Sequence, residues 1–202
     1  MSFQIQTDKK NTTEKYQKII DAAIKVFAKK GFYNSKVSDV AAEADVADGT
    51  IYLYFKNKDD LLISIFEHSM DFFFQQAKDH LSGIESQAEK LKKFIALHLA
   101  LVQKNQNLAT VIQIELRSSH KFMIEYRPEK FLQYLQLLEK IILEGQEKNL
   151  FKKTVDLEIA TRIIFGAIDE LALVWILMKK KRYQLDQAAD QLFQLIYDGI
   201  KA

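Results

Sequence analysis

The sequence predicts an all-α protein, and three observations lead to this conclusion. Proline occurs once and glycine six times in 202 residues, and both residues disfavour the interior of a helix. Apolar residues recur three and four positions apart along most of the chain, as they do on one face of a helix. No segment shows a convincing strand pattern. We therefore expect two helical domains.

Nine helices are expected, and turn residues separate them. The first would begin at Thr12 or Thr13 and end before Gly31, because glycine readily takes the left-handed conformation that follows a helix. Pro128 suits the start of the seventh helix. The expected helices cover residues 12–30, 38–45, 49–55, 59–81, 87–104, 107–117, 128–144, 156–180 and 186–199.

The second and third helices are short and joined by a tight turn. Ser35 or Ser38 would cap the second helix, since their hydroxyls can accept from free N–H groups. That helix would end near Asp45, because aspartate tolerates left-handed backbone angles. The turn at 46–48 then leads into the helix at 49–55.

The composition excludes several classes of function. Because the chain has no cysteine, it has no disulfide, thiolate metal site or cysteine nucleophile. No histidine follows a glutamate by three positions, as di-iron bundles require. Gly-x-Gly-x-x-Gly, Walker and Gly-x-Ser-x-Gly patterns are absent. We therefore expect no enzyme, no metal and no cofactor.

The sequence also predicts a cytoplasmic protein with no membrane partner. The first 15 residues lack the apolar core of a secretory signal. The most apolar run, 163–178, is too short for a membrane span and contains Asp169 and Glu170. The net charge of +2 neither requires nor excludes a nucleic-acid partner.

Two short helices joined by a tight turn are typical of a helix-turn-helix, whose second helix enters the major groove of DNA. In that helix Ile51 and Phe55 are four apart and form a buried stripe. Tyr52 and Tyr54 point about 200° apart, so one would pack and the other would reach toward the groove. From spacing alone, a core helix with solvated lysines is an equally good interpretation.

Residues 16–62 resemble the DNA-binding domain of the TetR family of bacterial repressors. The resemblance lies in KIIDAAIKVFAKKGFYNSKVSDVAAEADVADGTIYLYFKNKDDLL, and most specifically in the third helix. It implies a DNA-binding domain at 12–58 and contacts to operator DNA from Ser35, Lys36, Ser38, Gly49, Thr50, Tyr52, Tyr54, Lys56 and Lys58. The sequence departs from the family pattern at Asp45, where a turn glycine is usual, and at Asp48.

The same resemblance implies a ligand-binding and dimerisation domain at 59–202. In this family the last two helices of each subunit form a four-helix interface, so a homodimer on palindromic operator DNA is expected. The residues expected to build the interface together with the core are Ile163, Phe165, Ala167, Leu171, Leu173, Val174, Trp175, Leu177, Leu192, Leu195 and Ile196.

A second resemblance concerns the effector ligand. The stretches VADGTIYLYFKNKDDLLISIF, LATVIQIELRSS and IIFGAIDE, followed by Trp175, look like the members of the family that repress fatty-acid degradation in Gram-positive bacteria. This implies release from DNA by long-chain acyl-CoA. The residues expected to bind it are Phe66, Phe73, His98, Leu101, Ile112, Leu116, Arg117, Arg127, Phe131, Phe165 and Asp169.

Alternatives stay open at this point. The clustered phenylalanines are more often core than pocket, and His98 on an apolar face suits a core histidine with a hydrogen-bond partner. The three cations near residues 117–127 are as consistent with solvated surface as with a phosphate site. A repressor of an efflux or other pathway that responds to another lipophilic molecule is the main alternative function.

Overall fold

A computed structural model of the protein describes residues 2–202, with side chains from residue 13 onward, and confirms the all-α prediction. Within that range the chain forms helices and no strand; only Phe151 and Lys201 pair in an isolated bridge. The α-helices are α1 Ser2–Lys30, α2 Val37–Glu43, α3 Asp48–Tyr52, α4 Lys58–Leu81, α5 Gln87–Lys104, α6 Gln106–Thr110, α7 Leu116–Ser118, α8 Glu129–Glu147, α9 Leu157–Leu177 and α10 Leu185–Ile200. Two π turns are π1 Val111–Glu115 and π2 Lys121–Glu125.

Some helix boundaries differ from the predicted ones. The first helix begins at Ser2 rather than at Thr12 or Thr13, because no glycine or proline interrupts the first 30 residues. The predicted sixth helix, 107–117, changes to π hydrogen bonding at Val111–Glu115, so it is divided into α6 and α7. The predicted helix at 156–180 ends at Leu177, where the Lys181 ammonium donates to the carbonyl oxygen of Trp175.

The helices form two compact units. The first comprises the chain up to His68 together with Thr110–Tyr126, and the second comprises Ser69–Ala109 and Arg127–Ala202. Both α4 and the segment around Thr110 therefore contribute to each unit. The assignment of 12–58 to DNA binding and 59–202 to ligand binding and dimerisation concerns function and stays a prediction.

Each unit has its own apolar core. In the first unit, α1 to α4 and the turn after α3 bury Ile19, Ile20, Phe27, Val40, Ile51, Phe55, Leu61 and Leu62. In the second unit, one cluster joins side chains of α4, α5, α8, α9 and α10, among them Phe73, Phe94, Tyr134, Leu138, Ile142, Ile168, Trp175 and Leu192. These residues recur at helical spacing, as the sequence indicated.

The connection from α8 to α9 depends on one glycine. Gly145 lies under the buried ring of Phe151, and a methyl group added there would lie 2.1 Å from a ring carbon. The carbonyl oxygen of Gly145 accepts from the N–H groups of Leu150 and Phe151 at 2.8 and 3.1 Å. The chain thus folds back over the helix at the point where no side chain stands in its way.

Two further properties of the described residues bear on function. Between residues 2 and 202 no helix is both long and apolar enough to cross a membrane. Among the described side chains, no three histidine, aspartate or glutamate residues come together in an arrangement that could hold a metal ion.

We expect Gly145→Ala to destabilise the protein by about 1–3 kcal/mol or more, because the added methyl group forces the Phe151 ring out of its site. Chemical denaturation at equilibrium measures this change. Gly49→Ala is the matched control, since nothing lies within 4 Å of the position its methyl group would take. Equal effects of the two substitutions would contradict the close packing at Gly145.

Candidate DNA interface and effector site

The turn between α2 and α3 has the backbone that the sequence predicts. Asp45 has φ 51°, the left-handed conformation that a turn glycine would take without strain. The N–H of Val46 donates to the carbonyl oxygen of Ala41 at 3.0 Å, which closes the end of α2. Asp48 is exposed in the first turn of α3, where its negative charge suits the positive end of the helix.

The start of α2 differs from the prediction that Ser35 or Ser38 caps it. The Asp39 carboxylate accepts from the Lys36 N–H at 2.8 Å and pairs with the Lys30 ammonium at 2.8 Å. The hydrogen bond from Lys30, and then that from the Lys36 N–H, lowers the pKa of Asp39. Ser35 is buried, and its hydroxyl donates to the carbonyl oxygen of Gly31 at 2.6 Å. Ser38 is exposed inside the helix.

The segment from α3 to Lys56 has a buried face and an exposed face. Ile51 and Phe55 are buried, as predicted. The exposed face carries Gly49, Tyr52 and Leu53, which are spaced three and four apart on the helical turn and so lie in one stripe. The exposed Lys56 extends this stripe into the bend that follows. Leu53, which the sequence analysis left out, is 81% exposed.

The two tyrosines of this segment have different environments. Tyr52 is 57% exposed, whereas Tyr54 is half-buried with its ring 6.2 Å from that of Tyr16. Tyr54 therefore packs within the unit and Tyr52 lies at its surface, while the reach of Tyr52 toward a DNA groove stays a prediction. Lys36 and Lys56 are exposed and Thr50 is half-exposed. Although α3 itself ends at Tyr52 and not at Phe55, the helical turn continues because Phe55 N–H donates to the Ile51 carbonyl oxygen.

Lys58, a predicted DNA contact, is bonded within the protein. Its ammonium donates to the carbonyl oxygens of Phe32 and Ser35 at 2.7 and 2.9 Å. It also lies 4.4 Å from the centre of the Phe32 ring. These contacts tie the first turn of α4 to the loop between α1 and α2.

A second contact to the same loop comes from π1 and α7. The Glu115 carboxylate accepts from the Phe32 N–H at 2.7 Å, and the Tyr33 hydroxyl donates to the Ser118 carbonyl oxygen at 2.8 Å. Glu115 and Phe32 are 83 positions apart, so no local sequence signal links them. We call residues 31–35, with the groups that hold them, the clamped loop.

Four predicted ligand residues belong to the first unit. Phe66 is buried, with its ring 5.1 Å from Phe122 and 6.1 Å from Tyr126. Leu116 is also buried, Ile112 is half-buried and Arg117 is exposed.

Most of the other predicted ligand residues meet around Tyr134, which the sequence analysis did not single out. The ring of Tyr134 lies 4.9 Å from Phe73, 5.1 Å from Phe94, 5.7 Å from His98, 6.4 Å from Phe131 and 5.8 Å from Phe165. We call these six residues the Tyr134 cluster. Phe131 and Phe165 are half-buried, and their rings meet edge to face with centres 4.9 Å apart. Leu101 is half-buried and Arg127 is exposed.

A polar pair lies inside this aromatic cluster. His98 Nδ1 is 3.0 Å from the Tyr134 hydroxyl oxygen. Burial lowers the pKa of His98 to about 4, against the opposing effect of the Asp169 charge. Burial, and then the Asp169 charge, raises the pKa of Tyr134. At neutral pH His98 is therefore uncharged, so it cannot serve as a cation for phosphate groups.

A surface groove lies elsewhere in the second unit. It has a volume of about 610 Å³ and runs between α4 and α8. Its apolar lining includes Phe74, Leu81, Leu137 and Ile141, and Lys78 and Lys140 also line it. None of the predicted ligand residues lines this groove.

Comparison with known proteins extends these observations. A model of the N-terminal domain of bacterial regulatory proteins of the tetR family matches residues 19–65. A model of the C-terminal region of YsiA-like proteins matches residues 66–199. The chain is 39% identical over 191 residues, 95% of its length, to the fatty acid metabolism regulator protein of Bacillus subtilis (strain 168), of which 98% is covered.

Two solved structures are similar along most of the chain. One is the fatty acid degradation regulator FadR of Bacillus halodurans, with a TM-score of 0.86, 38% identity, and coverage of 92% of this chain and 95% of that one. The other is FadR of Bacillus subtilis in complex with stearoyl-CoA, with a TM-score of 0.85, 39% identity, and coverage of 92% and 99%.

We expect Lys58→Ala to lower the free energy of unfolding by about 1.5–3 kcal/mol, the usual size for hydrogen bonds from a charged group. Lys56→Ala, two residues away and exposed, should change it by less than about 0.5 kcal/mol. Urea denaturation of both variants measures the difference. If Lys58→Ala is as stable as Lys56→Ala, the carbonyl contacts of Lys58 do not stabilise the loop.

His98 should make stability depend on pH. Its folded pKa of about 4 lies below the ordinary value of 6.5, so the unfolded chain binds the proton more readily between these values. Stability contributed by the neutral ring is therefore present above pH 6.5 and is lost as pH falls toward 4.

Between pH 7 and pH 5 we expect the wild-type protein to lose about 2 kcal/mol more stability than His98→Gln. Denaturation curves at the two pH values give these losses. His80→Gln, at an exposed position of α4, should behave like the wild type. A wild-type pH dependence in His98→Gln would show that another group causes it.

Proposed function

The chain belongs to the TetR family of bacterial regulatory proteins, and we propose that it represses genes of fatty-acid degradation until long-chain acyl-CoA releases it from DNA. It would bind a palindromic operator as a homodimer, in the cytoplasm, where bacterial DNA lies. The observation that carries this proposal is the similarity to the FadR–stearoyl-CoA complex, at 39% identity over 92% of the chain.

The exposed stripe beside α3 supports the DNA-binding part of the proposal. It presents backbone at Gly49, a phenol at Tyr52 and an ammonium at Lys56, which suit phosphates and base edges. Thr50, Lys36 and Ser38 would add contacts at the two helix N-termini. Ser35, Tyr54 and Lys58 make contacts within the protein, so we assign them to positioning the motif.

The outer surfaces of α9 and α10 support the dimer. Large apolar side chains are exposed there: Ile159, Ile163 and Leu177 on α9 are 61–63% exposed, and Leu195 on α10 is 76% exposed. Trp175 and Leu192, also expected at the interface, are buried within the subunit. Glu170 is exposed on α9, whereas the neighbouring Asp169 is half-buried beside the polar pair.

The Tyr134 cluster is where we place the acyl chain. Phe131 and Phe165 keep part of their surface exposed, and each buried CH₂ of an acyl chain contributes about 0.8 kcal/mol. The exposed guanidinium group of Arg127, in the same unit, suits the phosphates of CoA, because arginine binds phosphate through two parallel hydrogen bonds.

Release from DNA requires that the ligand favour a state with misplaced recognition segments. The clamped loop is the element through which we expect this change to reach α2 and α3. It is held by Glu115 and Ser118, which follow Ile112 in the chain, and by Lys58 at the start of α4. A tenfold loss of DNA affinity corresponds to about 1.4 kcal/mol of coupling, and DNA must weaken acyl-CoA binding equally.

The test begins with selection of duplexes that the purified protein binds from a random pool. Fluorescence anisotropy then measures affinity for a selected duplex with palmitoyl-CoA, palmitate or CoA added. We expect palmitoyl-CoA alone to weaken DNA binding tenfold or more. Unchanged DNA affinity in palmitoyl-CoA would refute the effector, and failure to select any sequence would refute DNA recognition itself.

Arg127→Ala tests binding of the CoA phosphates separately from binding of the acyl chain. It should raise the palmitoyl-CoA concentration needed for release while leaving DNA affinity without ligand unchanged. Arg182→Ala, at an exposed position after α9, is the matched control. Equal potency of palmitoyl-CoA on both variants would remove Arg127 from the CoA site.

A further inference from the structure

Leu53 occupies a position that folding alone does not explain. It is 81% exposed, the largest value among the exposed large apolar side chains in the described part of the chain. Among the described residues, six other large apolar side chains are exposed above 60%: Tyr33, Ile124, Ile159, Ile163, Leu177 and Leu195. The last four form the proposed dimer surface, so an apolar side chain as exposed as Leu53 is a candidate contact with a partner.

The backbone fixes where Leu53 points. It follows α3 directly with helical angles, φ −72° and ψ −22°. Ile51 and Phe55, two positions before and after it, are buried, so the Leu53 side chain is held on the opposite side of the turn. There it lies between Tyr52 and Lys56 in the exposed stripe.

The chemistry of the major groove limits what a leucine can recognise there. Base edges present hydrogen-bond donors and acceptors, which an aliphatic side chain cannot use, and the 5-methyl group of thymine. If the exposed stripe faces the groove, as the proposed function requires, that methyl group is the apolar base-edge partner for Leu53.

We propose that Leu53 is a specificity-determining residue that reads the 5-methyl group of a thymine in each operator half-site. The inference rests on the proposed function. Replacing thymine by uracil removes this methyl group and keeps every base-pair hydrogen bond, so it isolates the contact. One buried methyl group corresponds to roughly fourfold in affinity, and two half-sites to about fifteenfold.

The experiment combines two proteins with two forms of one duplex. A duplex selected from a random pool by the wild-type protein is synthesised enzymatically with thymine or with uracil throughout. We expect the wild-type protein to bind the uracil form about fifteenfold more weakly. Leu53→Ala should bind both forms with similar affinity, close to that of the wild-type protein for the uracil form.

Two matched variants identify the source of any thymine preference. Thr50→Ser removes the other methyl group near the stripe but keeps the hydroxyl, and it should retain the full preference. Leu143→Ala changes a 40%-exposed leucine on α8 and should also retain it. Thermal denaturation of each variant checks that the fold is intact, which the exposure of Leu53 leads us to expect.

Several outcomes would overturn the proposal. An equal preference for thymine in the wild-type protein and Leu53→Ala would assign the methyl contact to another residue, and loss of preference in Thr50→Ser alone would assign it to Thr50. Equal weakening of both duplex forms by Leu53→Ala would place Leu53 on the sugar-phosphate backbone. If no sequence is selected at all, the proposed function fails, and this inference fails with it.

Discussion

The geometry of the first unit depends on how the loop at 31–35 is held. This loop leaves α1 through Gly31, at φ 81°, and enters α2 at Val37. Its polar backbone groups bond to charged side chains: Phe32 N–H to Glu115, and the Phe32 and Ser35 carbonyl oxygens to Lys58. Partly buried backbone groups without such partners would cost about 1–3 kcal/mol each. The orientation of α2 therefore follows from residues far away in the sequence.

The clamped loop also explains why Lys56 and Lys58, two lysines of the third-helix motif, have different environments. Lys56 and Lys58 are two positions apart, and both resemble phosphate-binding residues in a sequence. Lys56 lies in the bend after the α3 turn, whereas Lys58 is the first residue of α4. Its ammonium consequently meets the carbonyl oxygens of the loop, while Lys56 stays in water. A motif gives the residue types, whereas the direction of each side chain decides whether it can contact DNA or stabilises the fold instead.

The Tyr134 cluster shows the same distinction in the second unit. Phenylalanines at helical spacing are more often core than pocket, but the pattern alone does not separate the two, because both need apolar surface. The structure places Tyr134 at the centre of rings from α4, α5, α8 and α9, with His98 as its hydrogen-bond partner. Burial then keeps His98 uncharged. The cluster thus has a packed interior and a half-buried side formed by Phe131 and Phe165.

The sequence alone determined the helical class, most helix positions, the left-handed Asp45, the buried pair Ile51 and Phe55 and the family resemblance. These depend on short-range geometry: helical periodicity, the conformational range of glycine and proline, and residue types within one turn. It missed the Asp39 cap of α2, the π turn before α7, the clamp at Glu115, the central Tyr134 and the exposed Leu53. The Asp39 cap joins groups only three positions apart, so a local pattern was there to find. Tertiary structure decided the clamp at Glu115, the central Tyr134 and the exposure of Leu53, because each depends on which atoms distant segments bring together or on which face they leave uncovered.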